Sequence, residues 1–295
     1  MQKRTSRFDM GFDVVSTALL VLCLLIVLYP MYFIVIASIS DATSIATGKV
    51  LLLPKNIDLA GYRRIFQDTR IWNGYWNSLV YTVASTIIGV ITTAMAGYSF
   101  SRKDLVGRKI LITLYVFTMY FSGGLIPTYL VVKQLGLIGS PWIVILMGAV
   151  SVYNVIIARS FFSSNIPDDL FEAASIDGCT NGRFFVSIVL PLSKAILAVL
   201  ALYYAVAQWN GYFNAMIYLN KPAHFPLQLI LREILISSQT VTVDVSDVEA
   251  IQEMQRIAAT VKYGVIVIAS IPMLMMYPFI QKYFVKGVMI GSVKG

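Results

Sequence analysis

Six runs of mostly apolar residues, at about 14–39, 77–100, 110–132, 141–161, 195–219 and 262–284, dominate this chain. Each is long enough to cross a hydrocarbon layer as a helix, which takes about 20 residues. None shows the strict polar/apolar alternation of a barrel strand. Hydrophobic residues make up 58% of the 295 and charged residues 13%, where a soluble domain carries about 25% charged residues. The expected fold is an all-α integral membrane protein with six transmembrane helices in a single domain, 1–295. The first run follows Lys3, Arg4 and Arg7, as a secretory leader would. It is too long for one and no small-x-small cleavage site follows, so a retained first helix is expected.

Orientation follows from the basic residues. Arg102, Lys103, Arg108 and Lys109 crowd the short loop after the second run, and short basic loops stay inside. That places both termini and the 162–194 loop in the cytoplasm. Two long loops, about 40–76 and 220–261, then lie outside. The +8 net charge reads as topology signal and attraction to anionic lipid headgroups, with no nucleic-acid partner. Cys23 and Cys179 stand apart and His224 is the sole histidine, so neither a disulfide framework nor a metal spacing is available. Spans two to six hold no Asp or Glu, which argues against a proton-coupled carrier. No nucleophile–base pair or paired carboxylates sit at membrane depth, which argues against an integral membrane enzyme.

The polar island between the fourth and fifth runs is the exception to this apolar character. Pro167 ends the preceding run. Asp168 or Asp169 is placed to cap a new helix, Leu170 to Ile176 suit its body, and Gly178 suits its left-handed end. Thr180 or Asn181 can cap a second short helix through Phe184, Phe185 and Ile188, which Pro191 stops. On its own the island could equally be an amphipathic loop lying on the headgroups. The ordered pattern Glu172-Ala173-Ala174, Asp177-Gly178, Phe184, Ile188, Leu190-Pro191, however, resembles the EAA loop of ABC-importer permeases. Cys179 and Ala195 are its departures.

The likeness extends to the carbohydrate branch of binding-protein-dependent permeases, similar to the maltose permease G subunit. Within that branch it is strongest to importers of complex oligosaccharides, through Gln208 to Ala215 and Tyr277 to Gly287. The resemblance implies a type I ABC importer fold with 162–194 as its cytoplasmic coupling loop. It also implies a non-catalytic subunit in the bacterial cytoplasmic (inner) membrane that forms half of a sugar pathway. The expected partners are a homologous second permease, two ATPase subunits and an extracytoplasmic sugar-binding protein. This chain would hold no cofactor, with ATP and Mg on the partner ATPases. Glu172, Ala173, Ala174, Asp177 and Gly178 are the expected ATPase-coupling residues, and the C-terminal tail Val288 to Gly295 an accessory contact.

Sugar recognition needs aromatic faces and hydrogen-bonding amides. Trp209, Asn210, Tyr212 and Asn214, with Asn154 from the fourth run, are the expected pathway residues. Tyr115, Tyr120, Ser122 and Tyr153 are weaker candidates. An interfacial aromatic belt is the alternative for Trp209 and Tyr212. Polar helix around Val248 to Ala259 and residues 55–72 are expected to receive the binding protein or to pack on the partner permease. A self-contained secondary sugar transporter or channel is the alternative function, and it leaves the Glu172–Gly178 pattern without a role.

Overall fold

The computed structural model describes residues 7–237 and 260–276, together with 278 and 281. Among them the chain is helical, and its only β pairing is an isolated bridge between Ser40 and Ile57. The helices are α1 Arg7–Ser38, α2 Ala42–Ala46, α3 Ala60–Gln67, α4 Thr69–Ser101, α5 Arg108–Tyr120, α6 Leu125–Gln134 and α7 Pro141–Met147. They continue with α8 Val152–Asn165, α9 Asp168–Ile176, α10 Asn181–Leu192, α11 Lys194–Trp209, α12 Phe213–Tyr218, α13 Leu227–Ser237 and α14 Thr260–Met276. The expected polar helix at 248–259, with Glu249, Glu253 and Arg256, and the tail 288–295 lie outside the described residues. So does the 277–287 segment apart from 278 and 281.

Two of these helices, Gly11–Ser38 within α1 and α4, are unbroken and long enough to cross a membrane; counting each bent pair as one span raises the number to five, and α14 is shorter. The runs expected as single spans at 110–132, 141–161 and 195–219 are each interrupted. α5 and α6 meet at 111° around Gly123 and Gly124, where Gly124 takes φ 88°, a conformation open to a residue without Cβ. Pro127 falls in the first turn of α6, where a missing N–H costs little. α7 and α8 meet at 44° across Gly148–Ser151. α11 ends at Trp209, and α12 starts after Asn210–Tyr212. Periodicity does not reveal such breaks, because the residues on both sides are equally apolar.

The described residues group into two compact units, drawn from Met1–Thr69 with Leu231–Ser270 and from Arg70–Ile230 with Ile271–Gly295. In the first, Asp41 accepts the Ser44 N–H at 3.1 Å and caps α2. Tyr62 donates to Ser38 Oγ at 2.9 Å. A Cβ on Gly61 would lie 2.9 Å from the Thr260 backbone, and one on Gly264 would lie 2.7 Å from Ile65, so α3 and α14 touch backbone to side chain. The most apolar stretch of α1 is only 6% buried. A helix apolar all round and left uncovered matches a lipid or protein surround.

In the second unit, α4 carries the packing. Ser78, Thr82, Ser85, Gly89, Thr93 and Gly97 fall at steps of three or four and share one face, and all are buried. Gly97 admits Ala158 of α8, 2.7 Å from where its Cβ would stand, and Gly89 lies under the ring of Tyr204 from α11 at 2.9 Å. Ala94 is buried with Gly97 and Ala205 faces the core of α11, as small residues at helix contacts should. Ala96, Ala198 and Ala201 are only half-buried.

The Tyr204 hydroxyl does double duty. It pairs with Thr93 Oγ1 at 2.6 Å and accepts the Ser151 N–H at 3.1 Å. Ser151 in turn accepts the Asn154 N–H at 3.3 Å and caps α8. Irregular backbone at membrane depth persists only where protein satisfies it, and here a tyrosine does so. Tyr204→Phe should destabilise the protein by about 1–3 kcal/mol, the cost of a buried polar group left unpaired. Thr93→Val in that background should cost little more. A thermal-unfolding double-mutant cycle in detergent checks both.

Candidate functional site

The 162–194 segment folds as two helices around a glycine turn. The N-cap of α9 is Pro167, without a side-chain cap; Asp168 and Asp169 occupy its first turn. This corrects the expectation that one of them caps the helix. The Asp168 carboxylate turns instead to Lys103, 2.7 Å away. Both acids remain favourable near the positive end of the helix dipole. At the other end Gly178 takes φ 75°. The Gly178 N–H reaches Ser175 O at 3.0 Å and the Cys179 N–H reaches Ala174 O at 2.9 Å, the two bonds of a Schellman closure. Thr180 accepts the Arg183 N–H at 3.4 Å and opens α10. α10 meets α11 at an 82° elbow beside Ser193.

α9 has two faces. Phe171 and Ala174, three apart, pack onto a core built from Tyr98, Ala158, Phe162, Phe184 and Leu200. Phe171 meets the fully buried Phe184 edge to face, centroids 5.2 Å apart. The Arg102 guanidinium lies 3.5 Å from the Phe171 ring centroid, held by a bidentate pair to Asp104 at 2.9 and 2.9 Å. That pair holds the Asp104 carboxyl below the usual carboxylate range. Asp168, by hydrogen bond and charge, raises the Lys103 ammonium above its usual value. The outward face presents Glu172, Ala173, Ile176 and Asp177, with Gly178 beyond.

Of the five expected coupling residues, Glu172, Ala173, Asp177 and Gly178 are therefore exposed together, and Ala174 belongs to the seat. Ile176 went unnoticed in the sequence. It is 87% exposed and sits four residues after Glu172, on the same face. That spacing was the available signal.

A second site lies in a cavity of about 420 Å³ lined by Val144, Gly148, Gln208, Asn210, Tyr212 and Asn214, among others. Three of the five expected pathway residues thus converge. Asn210 is exposed and its amide donates to Val206 O at 2.9 Å, so its own helix supplies the partner that a buried amide was expected to need. Trp209 is buried and stands edge to face with Tyr75, centroids 5.5 Å apart. Asn154 is buried in α8. Neither Trp209 nor Asn154 lines the cavity, and the weaker candidates Tyr115, Tyr120, Ser122 and Tyr153 are absent from its wall too. Gln208 and Gly148 were missed as lining residues; Gln208 heads the motif quoted above, whereas nothing local marks Gly148. Among the described residues no cluster of three or more His, Cys, Asp or Glu could hold a metal ion.

The seat of α9 is testable. Arg102→Ala removes the cation–π contact, and amide exchange across Phe171–Ile176 should quicken roughly 2- to 30-fold. Lys103→Ala removes an exposed ion pair and should leave exchange there nearly unchanged. Hydrogen-exchange mass spectrometry in nanodiscs compares the two.

Residues 85–290 match the family described as binding-protein-dependent transport system inner membrane component. The chain is 42% identical over 284 residues to the polygalacturonan/rhamnogalacturonan transport system permease protein YtcP of Bacillus subtilis, covering 96% of this chain and 98% of that one. It is 29% identical to the maltodextrin transport system permease protein MdxG of the same organism, over 79% and 80% of the two chains. Among solved structures it superimposes with TM-score 0.84 and 33% identity on a chain of a bacterial ABC transporter involved in the import of the acidic polysaccharide alginate, covering 95% of this chain and 98% of that one. A coupling-type loop on an all-α membrane scaffold, a match over most of the length and a shared fold lead to one conclusion: this chain belongs to the family of binding-protein-dependent ABC importer permeases.

Proposed function

We propose that this permease carries oligosaccharides released from complex polysaccharides, and that α9 is the lever through which a partner ATPase drives it. As a member of its family it is a non-catalytic membrane subunit, and ATP hydrolysis belongs to the ATPase. The observation that carries the reading is the two-faced α9. Its inner face is locked by Phe171 against Phe184 and Arg102. Its outer face offers the apolar Ile176 between the acids Glu172 and Asp177. An exposed large apolar side chain rimmed by charge is the composition of a protein contact.

A helix closed at its end by Gly178 and seated on an aromatic core moves as one piece. When the ATPase dimer closes, α9 is dragged, Phe171 pushes on Phe184 and Tyr98, and the shift reaches α4 and α11 through their packed small residues. The cavity at Gln208–Asn214 then changes the side to which it opens. Polar amides and an aromatic ring there suit a sugar in transit.

In this reading both termini face the cytoplasm. A homologous permease completes the pathway as a heterodimer in the lipid bilayer. Two ATPases bind ATP and Mg below, and an extracytoplasmic sugar-binding protein docks above on loops that include 55–72. The relatives named for polygalacturonan/rhamnogalacturonan, maltodextrin and alginate support a carbohydrate cargo.

Glu172→Lys reverses charge on the contact face, and Gly178→Pro imposes a φ near −65° where +75° is needed. Both variants should insert in the membrane yet lose the co-purifying ATPase and oligosaccharide uptake. Retention of ATPase and uptake by both would end the lever assignment.

A further inference from the structure

The hydroxyls of α4 are not used alike. Thr92 and Ser99 donate back to their own helix, to Ile88 O at 2.7 Å and Met95 O at 2.8 Å. Ser78 accepts the Leu227 N–H at 2.8 Å, and Thr93 pairs with Tyr204. Between those anchors, Thr82, Ser85 and Thr86 have buried oxygens without a hydrogen-bond partner among the described residues. Ser85 is fully buried and Thr82 is 7% exposed. The three sit at i, i+3 and i+4, on one face. Serine and threonine in a membrane helix readily bond back to the preceding turn; these three make no such bond.

Ser85, the middle one of the three, stands behind the wall of the cavity at Gly148. A Cβ on Gly148 would lie 3.3 Å from Ser85 Oγ and 2.5 Å from Gln208 Oε1. The missing Cβ therefore leaves a notch in the cavity wall. The end of a flexible carboxamide fills this notch, and Ser85 lies at its back. Displacing the end of the Gln208 side chain would open the notch toward Ser85 Oγ, with Thr82 one turn away on the same helix face. Among the described residues no Lys, Arg, His, Asp or Glu lines this cavity.

We propose that Gly148, Gln208, Ser85 and Thr82 form a polyol subsite that takes the hydroxyl groups of a carbohydrate in transit. The proposal rests on the carbohydrate cargo proposed above and names the atoms that read it. Ser and Thr hydroxyls and a Gln amide each donate and accept, as vicinal sugar hydroxyls do, so a ring entering the notch pairs groups that the protein alone leaves unpaired. With no cation in the lining, this wall recognises hydroxyls and not carboxylates. An acidic sugar and its neutral counterpart are equivalent ligands for it.

The test uses the complete transporter in proteoliposomes, with binding protein, partner permease and ATPases. It is supplied with tritium-labelled oligogalacturonides and, separately, with the same oligomers after carboxyl reduction. Uptake is measured per ATP hydrolysed, with whichever form the wild type accumulates. Thr82→Val and Ser85→Ala delete one oxygen each, and each should lower uptake per ATP about five-fold, the equivalent of one net hydrogen bond. Thr82→Ser keeps the hydroxyl and should restore it. Because the deleted oxygens are unpaired in the resting protein, melting temperatures of both deletion variants should hold or rise. Wild-type uptake per ATP in Thr82→Val and Ser85→Ala overturns the subsite. Lower uptake with a lowered melting temperature also overturns it, since that marks a structural hydroxyl. Failure of the wild type to accumulate either form counts against the cargo and the subsite together. Gly178→Pro in the same preparation reports separately on the lever.

Discussion

Backbone amides at membrane depth must be satisfied by the protein itself, and the break between α7 and α8 is arranged around that requirement. A hydroxyl or backbone amide in hydrocarbon has no water to fall back on. The chain nevertheless breaks its apolar runs at Gly148–Ser151 and after Trp209. The first break persists because Tyr204 holds the Ser151 N–H and Thr93 together at one oxygen. Gly89 makes this possible by giving up its side chain to the Tyr204 ring. Gly148, at this break, lines the polar cavity.

The end of the molecule that carries α9 obeys a different rule. There water is available, so charge is cheap and exposed ion pairs contribute little. What fixes α9 is the aromatic contact of Phe171 with Phe184 and the Arg102 guanidinium over the Phe171 ring. Asp104 holds that guanidinium by two hydrogen bonds from within the same loop. The loop after α4, through Arg102, and helix α10, through Phe184, thus both contact one ring of α9.

Much of this was legible in the residues. The apolar runs marked the helices and a membrane environment, because spanning length and hydropathy are local properties. The Pro167 to Gly178 stretch read correctly as a short helix ending at glycine, since a Schellman closure needs only local bonds. The family was visible because Glu172–Gly178 is contiguous. Asp168 was misread as a cap because its true partner, Lys103, is remote in sequence. Trp209 was grouped with Asn210 and Tyr212 by adjacency, yet the end of α11 turns it onto Tyr75 and away from the cavity.

The sequence by itself determined which segments are helical and apolar, where the polar island lies and to which family the chain belongs. Each of these is written in short stretches whose chemistry needs no distant neighbour. Tertiary structure alone decided which hydroxyls of α4 are anchors and which stand unpaired, and that Gly148 opens a notch beside Gln208. It also decided that Ile176 faces outward while Ala174 faces in. Those outcomes depend on which remote helix comes within a few ångströms, and a missing Cβ or an unpaired oxygen acquires meaning only from what is packed against it.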